Sequence, residues 1–280
     1  MGQITVGIVT KMIDLSKNQI IDEHCHAFLP EKETARNVSL AQLLHWTNAP
    51  EEENKNLLLY RRVLRELSRI LECDSADETL ILRVRDATYT AGNREKQIEY
   101  VGKLFDDAKI SWLFFDTGYP SSQYPDSYDA DAVSLSEVFA KQKFNFIFRL
   151  DELMWRLFKQ DLSFEDMLSK YVESLNRAVK QDKCIAFKSA NAYCFGLDIH
   201  DKNEREAKKA YEELRSEQLL TVPIGEKMSK NPYFYPELPP TIAEEKILRD
   251  FLTCRGIEES IKLDVPVQVH TGVGDTPIIN

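Results

Sequence analysis

Apolar residues along the chain fall into two rhythms. Five short runs rich in apolar residues, at 20–27, 110–116, 144–150, 184–189 and 265–270, read as strands, and 110–116, apolar almost without interruption, reads as one covered on both faces. Between them the spacing changes to three and four. Leu40, Leu43, Leu44, Leu57, Leu58, Tyr60, Leu64, Leu67, Ile70 and Leu71 predict helices over much of 37–108. Ser75-Ala76-Asp77-Glu78 has the form of a capping box opening a helix through Arg85, and Asn93 is placed to cap another that ends near Ala108. Further helices are predicted at 134–143, from a Ser163-x-x-Asp166 cap to about Lys180, over the charged stretch 201–219, and over 241–262 with Ala243, Ile247, Leu248, Phe251 and Leu252 on the buried stripe. Strand alternating with helix argues for a parallel sheet. The all-helical block after the first strand is expected to be a lid or cap inserted at 28–109. The opening 1–19 reads as an edge or cap segment. A proline-rich loop at 221–240, with Tyr233-Phe234-Tyr235, reads equally as a substrate-side excursion or a surface loop.

Composition narrows the class. With 280 residues and 43% hydrophobic content, the chain is long enough for one large α/β domain or two ordinary ones. Its 36 basic and 46 acidic residues give a net charge of -10, which provides no footprint for nucleic acid or an anionic membrane and leaves basic partners or small substrates as the better fit. No apolar run reaches the roughly 18 residues of a membrane span, so a cytoplasmic location is expected. The five cysteines, at 25, 73, 184, 194 and 254, form no CxxC pair and are expected to be reduced.

Polar residues at the ends of the apolar runs carry the candidate chemistry. His24 and His26 flank Cys25 on the first strand, and strand alternation turns both histidines to one face, where two imidazoles can hold one metal ion. Asp116, Arg149, Lys188 and His270 stand at the ends of the other four. Singly, Asp116 reads as well as a turn aspartate, Arg149 as a snorkelling cation and His270 as a core histidine. Jointly, buried charges of both signs need a shared reason, and in a (β/α) barrel the ends of several strands converge on one site.

Three segments resemble a known family: Asp22-Glu23-His24-Cys25-His26, Phe187-Lys188-Ser189-Ala190-Asn191-Ala192-Tyr193-x-x-Gly196-Leu197, and Val267-Gln268-Val269-His270-Thr271-Gly272-x-Gly274-Asp275. Together they resemble the amidohydrolase superfamily, in its amidohydrolase-related branch, which includes the domain fused to glutamine synthetase-like proteins. The resemblance implies an α/β fold of the (β/α)8 TIM-barrel type, in one domain over 1–280. It implies a divalent metal, zinc by preference for imidazole ligands, held by His24, His26 and His270, with an open position that activates water for attack on a carbonyl carbon. Lys188 falls where some members carry a carbamylated lysine; here it is read as binding a substrate carboxylate or a structural partner. Lys188, Arg149 and Asp116 are the candidate catalytic residues, and Arg149 and Tyr193 the candidates for orienting substrate. Asp275 reads equally as a partner of the metal ligands or as a polar loop residue.

The chain departs from the family's pattern in showing only about five strands. A full barrel brings three more, normally with a histidine on the sixth and an aspartate on the eighth. The expectation is therefore a C-terminally incomplete barrel whose remaining segment is lost or separately encoded, with a homo-oligomer also open. The expected function is metal-dependent hydrolysis of a small amide or related carbonyl compound. Decarboxylation of a small acid, or a non-catalytic subunit of a split enzyme, are the alternatives.

Overall fold

The computed structural model describes residues 17–25, 39–43, 50–88, 93–116, 143–182, 184–193, 196–218, 220 and 240–271. Five parallel strands, β1 (Ile20–Cys25), β2 (Ile110–Asp116), β3 (Lys143–Arg149), β4 (Cys184–Ser189) and β5 (Val267–Val269), form one sheet in chain order. Between β1 and β2 come α1 (Leu40–Leu43), α2 (Glu51–Asn54), α3 (Leu58–Ile70), α4 (Glu78–Thr88) and α5 (Arg94–Ala108). Leu150–Phe158 (α6) and Phe164–Lys180 (α7) connect β3 to β4, and Glu204–Ser216 (α8) and Pro240–Leu263 (α9) lie between β4 and β5.

The sheet is curled into a half-barrel. In a flat sheet β1 and β5 would lie about 19 Å apart, four strand spacings. Instead the Gln268 side chain on β5 meets Glu23 on β1. Leu113 and Phe115 of β2 pack outward with Val101 of α5, while Trp112 on the opposite face donates its indole N–H to Asn145 of β3 at 2.9 Å. The outward face is thus apolar and helix-covered, and the concave face carries the polar groups. The main core joins α6, α7, α8 and α9 to β4 through Leu150, Met154, Met167, Tyr171, Phe187, Tyr211, Leu248 and Phe251. A smaller cluster of Ala41, Tyr60, Leu64, Leu71 and Ile81 holds α1, α3 and α4 to one another, and partly buried Tyr100 of α5 adjoins both it and the β2 cluster.

Several sequence expectations are revised. The helix predicted from the Ser75 box begins at Glu78, and its cap is Asp77, whose carboxylate accepts the Leu80 N–H at 2.9 Å. Glu78 points elsewhere, accepting from the Leu40 N–H at 3.1 Å and from the Tyr60 hydroxyl at 2.8 Å. Leu58, one of the residues in the helical spacing, is 83% exposed, because the apolar face of α3 runs through Tyr60 and Leu64. Ala243 is likewise exposed, and the fifth strand is only three residues long. Asn93 caps α5 as expected, accepting from the Lys96 N–H at 3.1 Å, and Ser163 caps α7 by accepting from Asp166 N–H at 3.1 Å. The segments 1–16, 134–142 and 221–239, expected as an edge, a helix and a long loop, lie outside the described residues. Among the described residues no helix is long and apolar enough to cross a membrane.

Candidate functional site

Asp116, the last residue of β2, is the centre of the concave face. Its side chain is wholly buried. It accepts from the Arg149 guanidinium at the end of β3 at 2.5 Å, and lies 3.3 Å from His24 Nε2 on β1 and 3.5 Å from Lys188 Nζ on β4. The Lys188 ammonium rests against the imidazole, 2.6 Å from Nε2 and 3.0 Å from Nδ1 of His24. Four strands therefore deliver one carboxylate, one imidazole and two cations to a single point at their C-terminal ends. Burial pulls the Lys188 amine below the ordinary lysine range, the Asp116 charge opposing and the Arg149 charge reinforcing that shift.

Register accounts for this convergence. Arg149 pairs with Lys188, and Lys188 with Gln268, so the three stand in one row across β3, β4 and β5. On the other side Cys25 pairs with Phe115 after a register shift between Asp22 and Cys25. Around that irregularity, Glu23 meets Gln268 and His24 meets Lys188, although the two are consecutive residues. Cys25 packs outward, as expected, and its Sγ donates to the Phe114 carbonyl at 3.5 Å. Burial, then the charges of Asp22 and Asp116, push its thiol up to about 12, which keeps it an inert packing group.

The structure brings together His24, Asp116, Arg149 and Lys188 from the sequence-derived set. His270 follows β5, half-buried, with its backbone N–H donating to the Ser189 carbonyl at 3.0 Å. The backbone of Tyr193 lies in a single 3-10 turn, Asn191–Tyr193, after β4. His26 and Asp275 lie outside the described residues. Among the described residues no group of three or more His, Cys, Asp or Glu side chains is placed to hold a metal. The donor types present, a His24 imidazole nitrogen and an Asp116 carboxylate oxygen 3.3 Å apart, are ones that ligate divalent cations.

Three contributors were not anticipated. Gln268 and Glu23 join β5 to β1, and the alternation Val267-Gln268-Val269-His270 carried the only sequence signal for the first of them. Asp151, in the first turn of α6, accepts from the Ala190 N–H at 2.6 Å just beyond Lys188. Burial pushes its carboxyl above the usual range, against the opposing pull of the Ala190 N–H and the nearby Arg249 charge. Asp151 reads in sequence as an ordinary first-turn acid.

No protein-family profile matches the chain, and no curated protein matches it. Among solved structures, the chain is similar in fold to a provisionally assigned metal-dependent hydrolase from Lactobacillus casei, known from a crystal structure at 1.40 Å resolution. The TM-score is 0.67 at 22% sequence identity, over 95% of this chain. The chain spans 63% of that protein's length.

Proposed function

We propose that the protein is a metal-dependent hydrolase acting on a small carbonyl substrate, an amide in the first instance, at the C-terminal mouth of β1 to β5. One observation carries the reading: a histidine, an aspartate, a lysine and an arginine from four strands meet within 3.5 Å contacts at the C-terminal ends of those strands. The fold likeness to the Lactobacillus casei protein supports it.

His24 and Asp116, joined by His26 and His270, are the residues that would hold the metal, with zinc the choice for this donor set. When bound, the metal supplies a water activated for attack and polarises the substrate carbonyl. The chain's own groups do the rest. Arg149 fixes the Asp116 carboxylate by a charge-assisted hydrogen bond, and so keeps one oxygen directed at His24. Lys188, buried beside both, provides a positive charge where negative charge develops on the substrate oxygen. Tyr193 and Arg149 orient the substrate from the ends of β4 and β3.

The test is metal analysis of the purified protein with hydrolysis assays on a panel of small amides. About one zinc per chain and measurable amide hydrolysis are expected, both lost in His24→Ala and Asp116→Ala. Protein that takes up no zinc, cobalt or manganese and turns over none of the amides refutes the reading. Release of carbon dioxide from small carboxylic acids, in place of amide hydrolysis, would identify a decarboxylase.

A further inference from the structure

Gln268 is held in an orientation that leaves one acceptor unused beside the site. It stands in the middle of β5, in register with Lys188 and two positions before His270, so strand alternation puts it on that histidine's face. Its Nε2 donates to two oxygens of Glu23, the backbone carbonyl at 3.2 Å and the carboxylate Oε2. Both amide hydrogens are therefore engaged. Turning the carboxamide over would set Oε1 against a carbonyl and a carboxylate, which offer no hydrogen. Oε1 is consequently fixed as the acceptor turned away from Glu23, and it is buried with no donor among the described residues.

Buried acceptors are almost always satisfied, by protein, water or ligand. Asn191 provides the contrast. Its Oδ1 is also buried without a donor, but its Nδ2 is bonded to Thr253 of α9, which places that carboxamide in the helix layer behind the sheet. Gln268 instead lies in the row with Arg149 and Lys188, and its anchor, Glu23, immediately precedes His24.

We propose that Gln268 determines specificity at this site: Oε1 accepts a hydrogen bond from an N–H or O–H of the bound substrate, and Glu23 sets its orientation. The inference rests on the reading of the site as the place where a carbonyl substrate is processed. It narrows the class to molecules carrying a hydrogen-bond donor next to that carbonyl, primary amides first. Trp112 and Phe114, with ring centroids 5.2 Å apart, share the alternation of Asp116 on β2, so an aromatic probe suits the concave face.

Benzamide and acetophenone have the same number of non-hydrogen atoms and differ in carrying NH2 or CH3 beside the carbonyl. Their binding is measured by calorimetry on the full chain and on Gln268→Met and Gln268→Leu, with circular dichroism confirming that each variant folds. The native protein is expected to prefer the amide by about tenfold or more, the consequence of pairing one otherwise unsatisfied buried acceptor. In Gln268→Met the preference falls to within about threefold, because the acceptor is gone. Gln268→Leu gives the same result, since its side chain likewise offers no acceptor; it carries the test if the first variant does not fold. Failure of the native protein to bind the amide, or a preference that survives in the folded variants, overturns the proposal. Amide binding that depends on Gln268 without any hydrolysis refutes the hydrolase reading alone, and hydrolysis without an amide preference refutes this inference alone.

Discussion

At the residue scale, Asp151 takes over where a backbone ladder ends. Arg149 and Lys188 are the last pair of β3 and β4; two residues further on, β3 has turned into α6 and has no carbonyl to offer Ala190. The Asp151 carboxylate fills that place at 2.6 Å, with Arg249 behind it. Asp151→Ala leaves a strand-end N–H unmatched and is expected to cost about 1–3 kcal/mol in urea unfolding. The pH dependence has a definite sign. Burial raises the native carboxyl above its unfolded value, so the native state binds the proton more tightly, and stability declines as pH rises from the ordinary carboxylate range through the raised native value. Asp151→Asn keeps an acceptor and cannot ionise. Its stability relative to the native protein is expected to improve across that window, and a constant difference between pH 4 and pH 8 would count against this account. Sequence identified His24, Asp116, Arg149 and Lys188 because each interrupts an apolar run at its end. It missed Asp151 because an acid in a first helical turn is unremarkable until the neighbouring strand's end is known to lie against it.

At the element scale, α9 is the helix against which the α6–α8 layer closes. Tyr171 of α7 donates to the Leu252 carbonyl at 3.0 Å, and a Cβ added at Gly256 would lie 2.8 Å from the Tyr171 hydroxyl and 2.9 Å from a Leu150 methyl. Gly256→Ala is therefore expected to destabilise by about 1–3 kcal/mol through overpacking. Tyr171→Phe should recover part of that loss in the double variant, and additive losses in a double-mutant cycle would show that the hydroxyl is not the obstacle. Helix stops tell a second story. Glu72, Lys109, Gln218 and Asp264 all have positive φ, near 55–59°, directly after helices, where glycine is the usual residue. Exposed Glu72 lets the Cys73 N–H reach back to the Ser68 carbonyl at 2.8 Å. Glu72→Gly is expected to stabilise by about 0.5–1 kcal/mol, seen as a raised midpoint of thermal unfolding, because the left-handed conformation loses its Cβ penalty. With no glycine at these stops, periodicity alone had to locate the helix ends. It did so well at α5 and α7, where Asn93 and Ser163 cap the other end.

At the scale of the whole molecule, the curl of the sheet assembles the site. β1 is far from β4 in a flat arrangement, yet His24 and Lys188 are in contact, 164 residues apart in sequence. A ligand that bridges these strands must stabilise the folded chain. On the proposed metal reading, zinc at about a hundredfold over its dissociation constant adds about 2.7 kcal/mol to the unfolding free energy. A chelator should reverse the rise, and His24→Ala should abolish it while leaving the metal-free stability close to that of the native protein. Zinc stabilisation undiminished in His24→Ala would move the metal elsewhere on the chain.

Local patterning by itself determined the α/β class, the parallel sheet, all five strands to within a few residues and four of the residues that meet at the mouth, because strand and helix periods are written in nearest-neighbour chemistry. Tertiary structure alone decided the register row of Arg149, Lys188 and Gln268, the irregularity in β1 that sends both Glu23 and His24 toward β4 and β5, and the Asp151 closure of the β3–β4 ladder. Those features depend on which strand ends lie side by side and how far the sheet curls, and no local run of residues encodes a distance between segments that lie far apart in the chain.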